Sequence, residues 1–411
     1  MALIVQKFGG SSVADAAKML EVAGRIAKTR KAGHQVVVVV SAPGDTTDDL
    51  IGMAHKITDS PNEREMDVLL ATGEQQSIAL LALAIQAAGC DSISFTGPQV
   101  GIVTDNVHTK ARIVKVGDST IRKALGQGKV VVVAGFQGMT RNNEITTLGR
   151  GGSDLTAVAI AAALKADVCE FYKDVDGVFT ANPGMVKDAK KLSLISYDEM
   201  LEMASAGAQV LNARSVEFAK NFGIKIHVRP TFNEKEGTIV MQETKAMEKV
   251  VISGVTYNKN EAKITVRGVP DRPGIASILF SKLGKAGVNV DMIIQNIGEK
   301  GHSDVSFTVD KSEFKKAMKV VGEAAKTLKP AGILSDEGIA KVSVVGVGMR
   351  SHSGVAANMF TALAEAGVNI EMISTSEIKI SVVIDEKDVA KAVAAIHKKF
   401  NLGKKVAGVR G

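Results

Sequence analysis

The sequence predicts an α/β protein: a parallel-sheet domain followed by two smaller ferredoxin-like (βαββαβ) units. Three observations point there. Over the first 245 residues, short and uniformly apolar segments alternate with amphipathic ones, the pattern of parallel strands covered by helices on both faces. Across residues 233–249 the composition shifts to a charged connector, NEKEGTIVMQETKAMEK. Beyond it, residues 264–295 and 344–375 repeat one another at an offset of 80, pairing Gly274 with Gly354, Asn289 with Asn369, Asp291 with Glu371 and Met292 with Met372. A chain of 411 residues holds two or three domains of ordinary size. The expected boundaries are 1–245, 250–336 and 337–411, with 250–258 free to pair with the second repeat.

In chain order, residues 2–6 read as the first strand and Gly9-Gly10-Ser11-Ser12 as a turn. A helix is expected from Val13 to about Lys31, with Ala16, Leu20, Ala23 and Ala27 on one face. Gln35–Val40 carries five valines without alternation, so both of its faces are expected to be buried. A polar turn at 41–49 precedes helices near 49–58 and 75–88, and strands at 93–96 and 129–134. An alanine-rich helix at 155–164, a strand at 167–172, helices at 198–204 and 212–221 and a strand at 225–228 close the domain. Ligands of such sheets lie beyond the strand C-termini. Each repeat reads strand, glycine turn, helix, Gly-Val-Asn and strand. A third strand follows (304–309 and 379–384), then a helix reaching Lys326 or Lys399.

Composition narrows the function. At 45% hydrophobic and 23% charged residues the chain is an ordinary globular protein. Its net charge of +7 sits entirely in residues 246–411, since residues 1–245 hold 27 basic and 27 acidic side chains. No dense Lys/Arg cluster occurs, Trp is absent and Tyr numbers three, so no nucleic-acid partner is expected. Cys90 and Cys169 are far apart, which excludes a disulfide framework and suits a reducing cytosol. Both are expected to be buried. No apolar run of about 18 residues is evident, and Met1–Gly10 lacks a charged-then-apolar leader, so no membrane and a cytoplasmic location are expected. The seven histidines are scattered, with no HxxxH or HExxH, so surface positions or caps are expected for them and no protein-held metal.

Five segments could carry chemistry. In Lys7-Phe8-Gly9-Gly10-Ser11-Ser12 a strand ends on a lysine, glycines admit a ligand to the backbone, and a helix start favours phosphate. Such turns also occur for packing alone, and neither a Walker nor a Rossmann spacing is present. Thr147-Leu148-Gly149-Arg150-Gly151-Gly152-Ser153-Asp154 again places glycines before a helix. Here Arg150 is suited to a carboxylate and Asp154 to orienting a lysine; helix capping by Ser153 or Asp154 is the alternative. The others are 41–49 (SAPGDTTDD), a turn at 71–75 (ATGEQ) whose Glu74 suits an ammonium group or the dipole of a first turn, and 173–183 (KDVDGVFTANP), which also suits a plain Asp-Gly turn.

Taken together and in this order, VQKFGGSS (5–12), VVVVSAPGDTTD (37–48), LLATGEQQS (69–77), VAGFQG (133–138), TTLGRGGSDLTAVAIAAAL (146–164) and KDVDGVFTANP (173–183) resemble the aspartate kinases of the amino acid kinase family. The repeats at 250–411 are similar to the paired ACT regulatory domains of those enzymes. The resemblance implies transfer of the γ-phosphoryl of ATP, with Mg2+, to the side-chain carboxylate of L-aspartate. That carboxylate (pKa ~3.9 when free) is already ionised at neutral pH, so no general base is required and the barrier is the meeting of two anions. The resemblance further implies that Lys7 stabilises the transferred group, with Arg150 and Asp154 as its catalytic companions. Phe8, Gly9, Gly10, Ser41, Lys173, Asp174, Phe179, Gly184, Gln209 and Val210 would border the nucleotide. Thr47, Glu74, Arg150, Gly151, Gly152, Ser153 and Asp154 would hold aspartate. Phe179, Asn182-Pro183-Gly184 and Gln209 depart from the family pattern of a tyrosine, DPR and a lysine, which removes a phenol, an arginine and an ammonium from the adenosine side.

For the repeats the resemblance implies inhibition by lysine and threonine. The first copy would contribute Asp271, Gly274, Ile275, Ala276, Asn289, Val290, Asp291 and Gln295, and the second Ala356, Ala357, Asn369, Ile370 and Ser376. It also implies a homo-oligomer, or a hetero-oligomer with a shorter ACT-only subunit starting near Met247. The rivals are another acyl or nucleotide kinase of the same fold and a catalytically silent amino-acid sensor.

Overall fold

The computed structural model describes residues 1–245, 247, 250–297 and 301–404. Residues 246, 248 and 249 of the connector and 405–411 of the expected third domain lie outside the described residues. The amino-terminal domain runs β1 (Leu3–Phe8), α1 (Ala16–Lys31), β2 (Gln35–Val40), α2 (Thr46–Ile57), α3 (Glu63–Ala87), β3 (Ser92–Phe95), β4 (Val103–Thr104), β5 (Ile113–Lys115), α4 (Ser119–Gly126), β6 (Val130–Ala134), β7 (Gln137–Met139) and β8 (Ile145–Thr147). It continues through α5 (Gly152–Leu164), β9 (Val168–Lys173), β10 (Leu194–Ser196), α6 (Tyr197–Ser205), α7 (Ala213–Phe222), β11 (Ile226–Pro230) and β12 (Thr238–Met241). The main sheet has eight strands in the order β10-β12-β11-β9-β1-β2-β6-β3. It is parallel except where β12 meets β11 antiparallel, so one edge departs from the wholly parallel sheet expected.

The valine strands explain why this sheet can hold a site rigidly. Alternate side chains of a strand face opposite sides. In β2, Val37 and Val39 enter one core, with α5 residues such as Val158 and Ile160, while Val36, Val38 and Val40 enter the other, with Ile26 and Leu81. β6 divides its residues in the same way. The small sheet β5-β4-β7-β8 was not foreseen, because strands of two or three residues carry no readable period.

Two helices differ from expectation. The turn after β1 leads into a single 3-10 turn, Gly10–Val13, and α1 begins only at Ala16, capped by Asp15 accepting from the Lys18 amide. α3 is one 25-residue helix, so the turn expected at 71–75 is its interior. Gly73 suggested a break. Its glycine instead serves a close approach, since a Cβ there would lie 2.8 Å from Cβ of Ala42. By length and composition α3 could also cross a membrane, which corrects the reading that no such run exists; 56% of its most apolar window is buried inside the fold.

The carboxy-terminal half contains β13 (Gly254–Asn258), β14 (Glu261–Pro270), α8 (Ile275–Lys285), β15 (Val290–Ile297), β16 (His302–Asp310), α9 (Phe314–Leu328) and β17 (Gly332–Asp336). Then come β18 (Ile339–Val345), α10 (Val355–Glu365), β19 (Met372–Thr375), β20 (Lys379–Asp385) and α11 (Val389–Lys399). The first repeat is a complete βαββαβ unit, with strand order β15-β16-β14-β17. The second is not, as a local stretch of chain: among the described residues no strand follows α11. Its fourth strand is β13, paired antiparallel with β18, in the order β13-β18-β20-β19. The two units meet through Met292, Ile339, Met372 and Val383, flanked by the ion pairs Lys263–Glu371 and Lys341–Asp291.

Replacing Gly73 by alanine tests the packing account of α3. Helix propensity alone favours alanine by about 1 kcal/mol, whereas overpacking a tight contact costs about 1–3 kcal/mol. Gly73→Ala is expected to lower the urea midpoint; a raised midpoint would show that the contact with Ala42 yields freely.

Candidate active site

β1 ends at Lys7-Phe8 beside the end of its parallel neighbour β9, with Lys7 in register with Phe171 and Phe8 with Tyr172. The pleat sends Lys7 and Phe8 to opposite faces. Phe8 is fully buried and stacked on Tyr172 (ring centroids 4.6 Å apart), so its side chain belongs to the core and does not border a nucleotide. Lys7 faces the first turn of α5. Its Nζ lies 2.6 Å from Oδ1 of Asp154, and Nζ of Lys173, at the end of β9, lies 3.2 Å from Oδ2. The side chains of Lys7 and Asp154 are only 6% and 7% exposed.

Burial works against an ionised Asp154, but the ammonium groups of Lys173 and Lys7 outweigh it and hold its pKa at about 2. Burial is also the largest influence on Lys7. With help from the positive Lys173 it moves the ammonium pKa below its ordinary value, despite the opposing pull of Asp154. The cluster therefore keeps one carboxylate ionised between two converging cations.

The glycine turns let these chains come together. A Cβ on Gly10 would stand 2.7 Å from the carbonyl oxygen of Ala42, which presses the turn after β1 against the loop after β2. A Cβ on Gly9 would stand 3.7 Å from Nζ of Lys7, in ordinary contact. Gly151 has a left-handed backbone (φ +73°), and a Cβ there would meet Nδ2 of Asn212 at 2.2 Å. A Cβ on Gly152 would lie 2.8 Å from Cβ of Leu148. Gly151 itself is the N-cap of α5 and no side chain caps that helix, so Ser153 and Asp154 do not serve as its caps. Both are buried in the first turn. Arg150 is exposed, and its guanidinium makes no ion pair or hydrogen bond among the described residues.

Glu74 reaches the loop after β2 from the middle of α3, which corrects its placement in a first turn. Its Oε1 accepts from the Ala42 amide (3.0 Å), while Oε2 is buried without a partner. Burial raises its pKa to about 7, although the bond from Ala42 and the charge of Lys7 oppose the rise. Ser41 stands at the end of β2, its carbonyl accepting from the Ser77 hydroxyl at 2.7 Å. Thr47 lies, half-buried, in the first turn of α2.

A cavity of about 590 Å³ opens beside Lys173. Asp174, Phe179, Gln209 and Val210 line it, as does Asn182, but Gly184 does not: it is exposed, and its amide donates to Oδ1 of Asn182 at 2.8 Å. Residues 255–260, from β13 and the turn after it, form part of the same wall. Sequence reasoning missed that wall, since nothing local ties these residues to the kinase loops.

It also missed Asp67, fully buried on α3. Asp67 accepts from the Thr147 hydroxyl (2.5 Å) and the Thr109 amide (3.1 Å), and it contacts Nδ1 of His108 at 2.8 Å. It thereby ties the strand leading into the Arg150 turn to the helix that carries Glu74. Its position seven residues before Glu74, on the same helical face, is the signal that could have found it. His108 and the buried His397 depart from the surface positions expected of the histidines.

In the first repeat, Asp271, Gly274, Ala276, Asn289, Asp291 and Gln295 are exposed and Val290 is half-buried, around the start of α8 and along the edge strand β15. Ile275 is buried in the core of its unit, which leaves only its backbone for a ligand. In the second repeat Ala357, Asn369 and Ser376 are exposed, and Ala356 and Ile370 half-buried.

Residues 2–230 match the amino acid kinase family, and residues 263–324 and 342–400 match the ACT domain. An aspartokinase of Pseudomonas aeruginosa is 51% identical over 98% of both chains. Another, from Mycolicibacterium smegmatis, is 50% identical over 98% of this chain and 97% of its own. Among solved structures, aspartate kinase of Clostridium acetobutylicum aligns with a TM-score of 0.79 at 26% identity, covering 97% of this chain and 100% of its own. E. coli aspartokinase III, solved with aspartate and ADP, shares the fold, with a TM-score of 0.82 at 23% identity over 97% and 99% of the two chains. With the kinase motifs and the doubled regulatory unit matched along nearly its whole length, the chain belongs to the aspartokinases of the amino acid kinase family.

Proposed function

We propose that the protein transfers the γ-phosphoryl of ATP, taken as its magnesium complex, to the side-chain carboxylate of L-aspartate, giving 4-phospho-L-aspartate, the first step toward lysine, threonine and methionine. The observation that carries this reading is the buried Lys7–Asp154–Lys173 cluster, set between the cavity beside Lys173 and the loop near Glu74. An anionic acceptor must approach an anionic phosphoryl group, so catalysis here is charge neutralisation and alignment. Asp154 holds the two ammonium groups in place, and Lys7 faces the transferred oxygens. Lys173, Asp174, Phe179, Gln209 and Val210 border the nucleotide. Glu74, with an unpartnered oxygen, takes the α-ammonium of aspartate, and the free guanidinium of Arg150 takes a carboxylate beside Thr47.

We further infer that lysine and threonine inhibit through the paired ACT units, in an assembly of several subunits. A shorter subunit beginning near Met247, which packs against Val347 and Ile378 of the second unit, belongs to the same reading. Lysine is the supported half of this reading, since E. coli aspartokinase III has been solved with lysine and aspartate.

Three outcomes test these assignments. Lys7→Met leaves Asp154 paired with Lys173, so the fold survives while ATP-dependent aspartyl hydroxamate formation falls at least about 100-fold; near-normal turnover with an unchanged circular dichroism spectrum would end the mechanism. Glu74 must be ionised to bind an ammonium group. With its pKa at about 7, protonation on acidification removes that partner. kcat/KM for aspartate is therefore expected to fall about tenfold per pH unit well below 7, and Glu74→Gln is expected to lack this limb. Saturating lysine plus threonine is expected to depress the rate at sub-saturating substrate at least severalfold; an unaffected rate would refute the regulatory assignment.

A further inference from the structure

We propose that the turn between β13 and β14 completes the nucleotide site, with Lys259 as a nucleotide-binding cation supplied by the regulatory half of the chain. The proposal rests on reading the cavity beside Lys173 as the ATP site. Lys173, Asp174, Phe179 and Gln209 line it from the kinase loops, and Tyr257, Asn258, Lys259 and Asn260 from the turn. The two sides are in close contact. A Cβ on Gly207 would lie 2.1 Å from the carbonyl oxygen of Tyr257. The Val255 amide donates to the Thr180 carbonyl at 2.8 Å, and Asn182 Nδ2 donates to the Tyr257 hydroxyl at 3.2 Å.

Charge singles out Lys259 on this wall. The lining residues carry two ammonium groups, Lys173 and Lys259. Lys173 is committed to Asp154. Lys259 is exposed and makes no ion pair within 4 Å among the described residues, although Glu386 feels its charge. A polyphosphate entering the cavity therefore finds one ammonium engaged in the catalytic cluster and one uncommitted.

The turn that carries this lysine is held in advance. Asn258 Oδ1 accepts from the Asn260 amide at 3.0 Å, and Asn258 Nδ2 donates to Oε1 of Glu261 at 2.9 Å. Asn260 Nδ2 donates to Asp310 Oδ2 at 2.6 Å. Glu261 is itself buried and paired at 3.0 Å with the buried Lys341, whose ammonium also meets Asp291. Asn258 and Lys341 sit opposite one another in the β13–β18 register. The backbone of the turn is thus ordered before a ligand arrives, and binding has only the lysine stem to immobilise.

Steady-state kinetics of the full-length protein decide the matter. Lys259→Ala is expected to raise KM for ATP about five- to tenfold, with kcat and KM for aspartate within about twofold, and to weaken ADP binding in calorimetry by a similar factor. Lys259→Arg is expected to restore KM for ATP, and Lys259→Glu to raise it further. Because Lys259 is exposed, unchanged thermal melting is expected of all three. A wild type that phosphorylates aspartate, together with a Lys259→Ala variant of unchanged KM for ATP and unchanged ADP affinity, overturns this proposal alone. A wild type that neither binds ADP nor phosphorylates aspartate overturns the parent reading and this one with it.

Discussion

At the carboxyl end of the main sheet, one carboxylate lies between two ammonium groups in a place largely closed to water. An isolated charge buried there would be expelled or neutralised. Asp154 remains ionised because Lys7 and Lys173 converge on it, and the two lysines tolerate each other because Asp154 stands between them. The group as a whole is left with an excess of positive charge. That excess, set at the mouth of a rigid sheet, is the feature on which the proposed phosphoryl transfer between two anions rests.

The cluster depends on where the backbone places its members. Lys7 and Lys173 come from adjacent parallel strands, and Asp154 from a helix whose start is brought in by glycines that admit no side chain. β2 and β6 feed valines into cores on both faces, so the sheet cannot shift without disturbing two packed layers. Asp67, bonded to Thr147 and Thr109, joins α3 to the loops leading into the Arg150 turn.

The regulatory half is joined to this frame by polar contacts made at buried and half-buried positions. Glu199, at the start of α6, accepts from the Ser253 hydroxyl at 2.5 Å and from the Val347 amide at 3.1 Å. Thr180 meets His397 at 3.0 Å, and Lys379 pairs with Glu202 at 2.7 Å. These bonds fix the second repeat and β13 against the kinase loops, while the first repeat joins the second through a methionine-rich seam and paired charges. A change in how the two repeats meet thus has a continuous physical route to the wall of the cavity.

Much of this was legible in the chain itself. The five-valine strand, the two glycine turns and the offset of 80 residues are local patterns, and local patterns are what sequence periodicity records. They were enough to single out Lys7, Glu74, Arg150 and Asp154 as candidates and to show the duplication. What they could not decide depends on residues far apart. The role of Gly73 is set by Ala42 and the neutral-range carboxyl of Glu74 by the packing that buries it, while the fourth strand of the second repeat comes from β13, within the 250–258 stretch whose pairing the sequence had left open. Only the tertiary structure brings residues 255–260 to the cavity beside Lys173, because strand pairing and burial are interactions between distant parts of the chain that leave no local period in it.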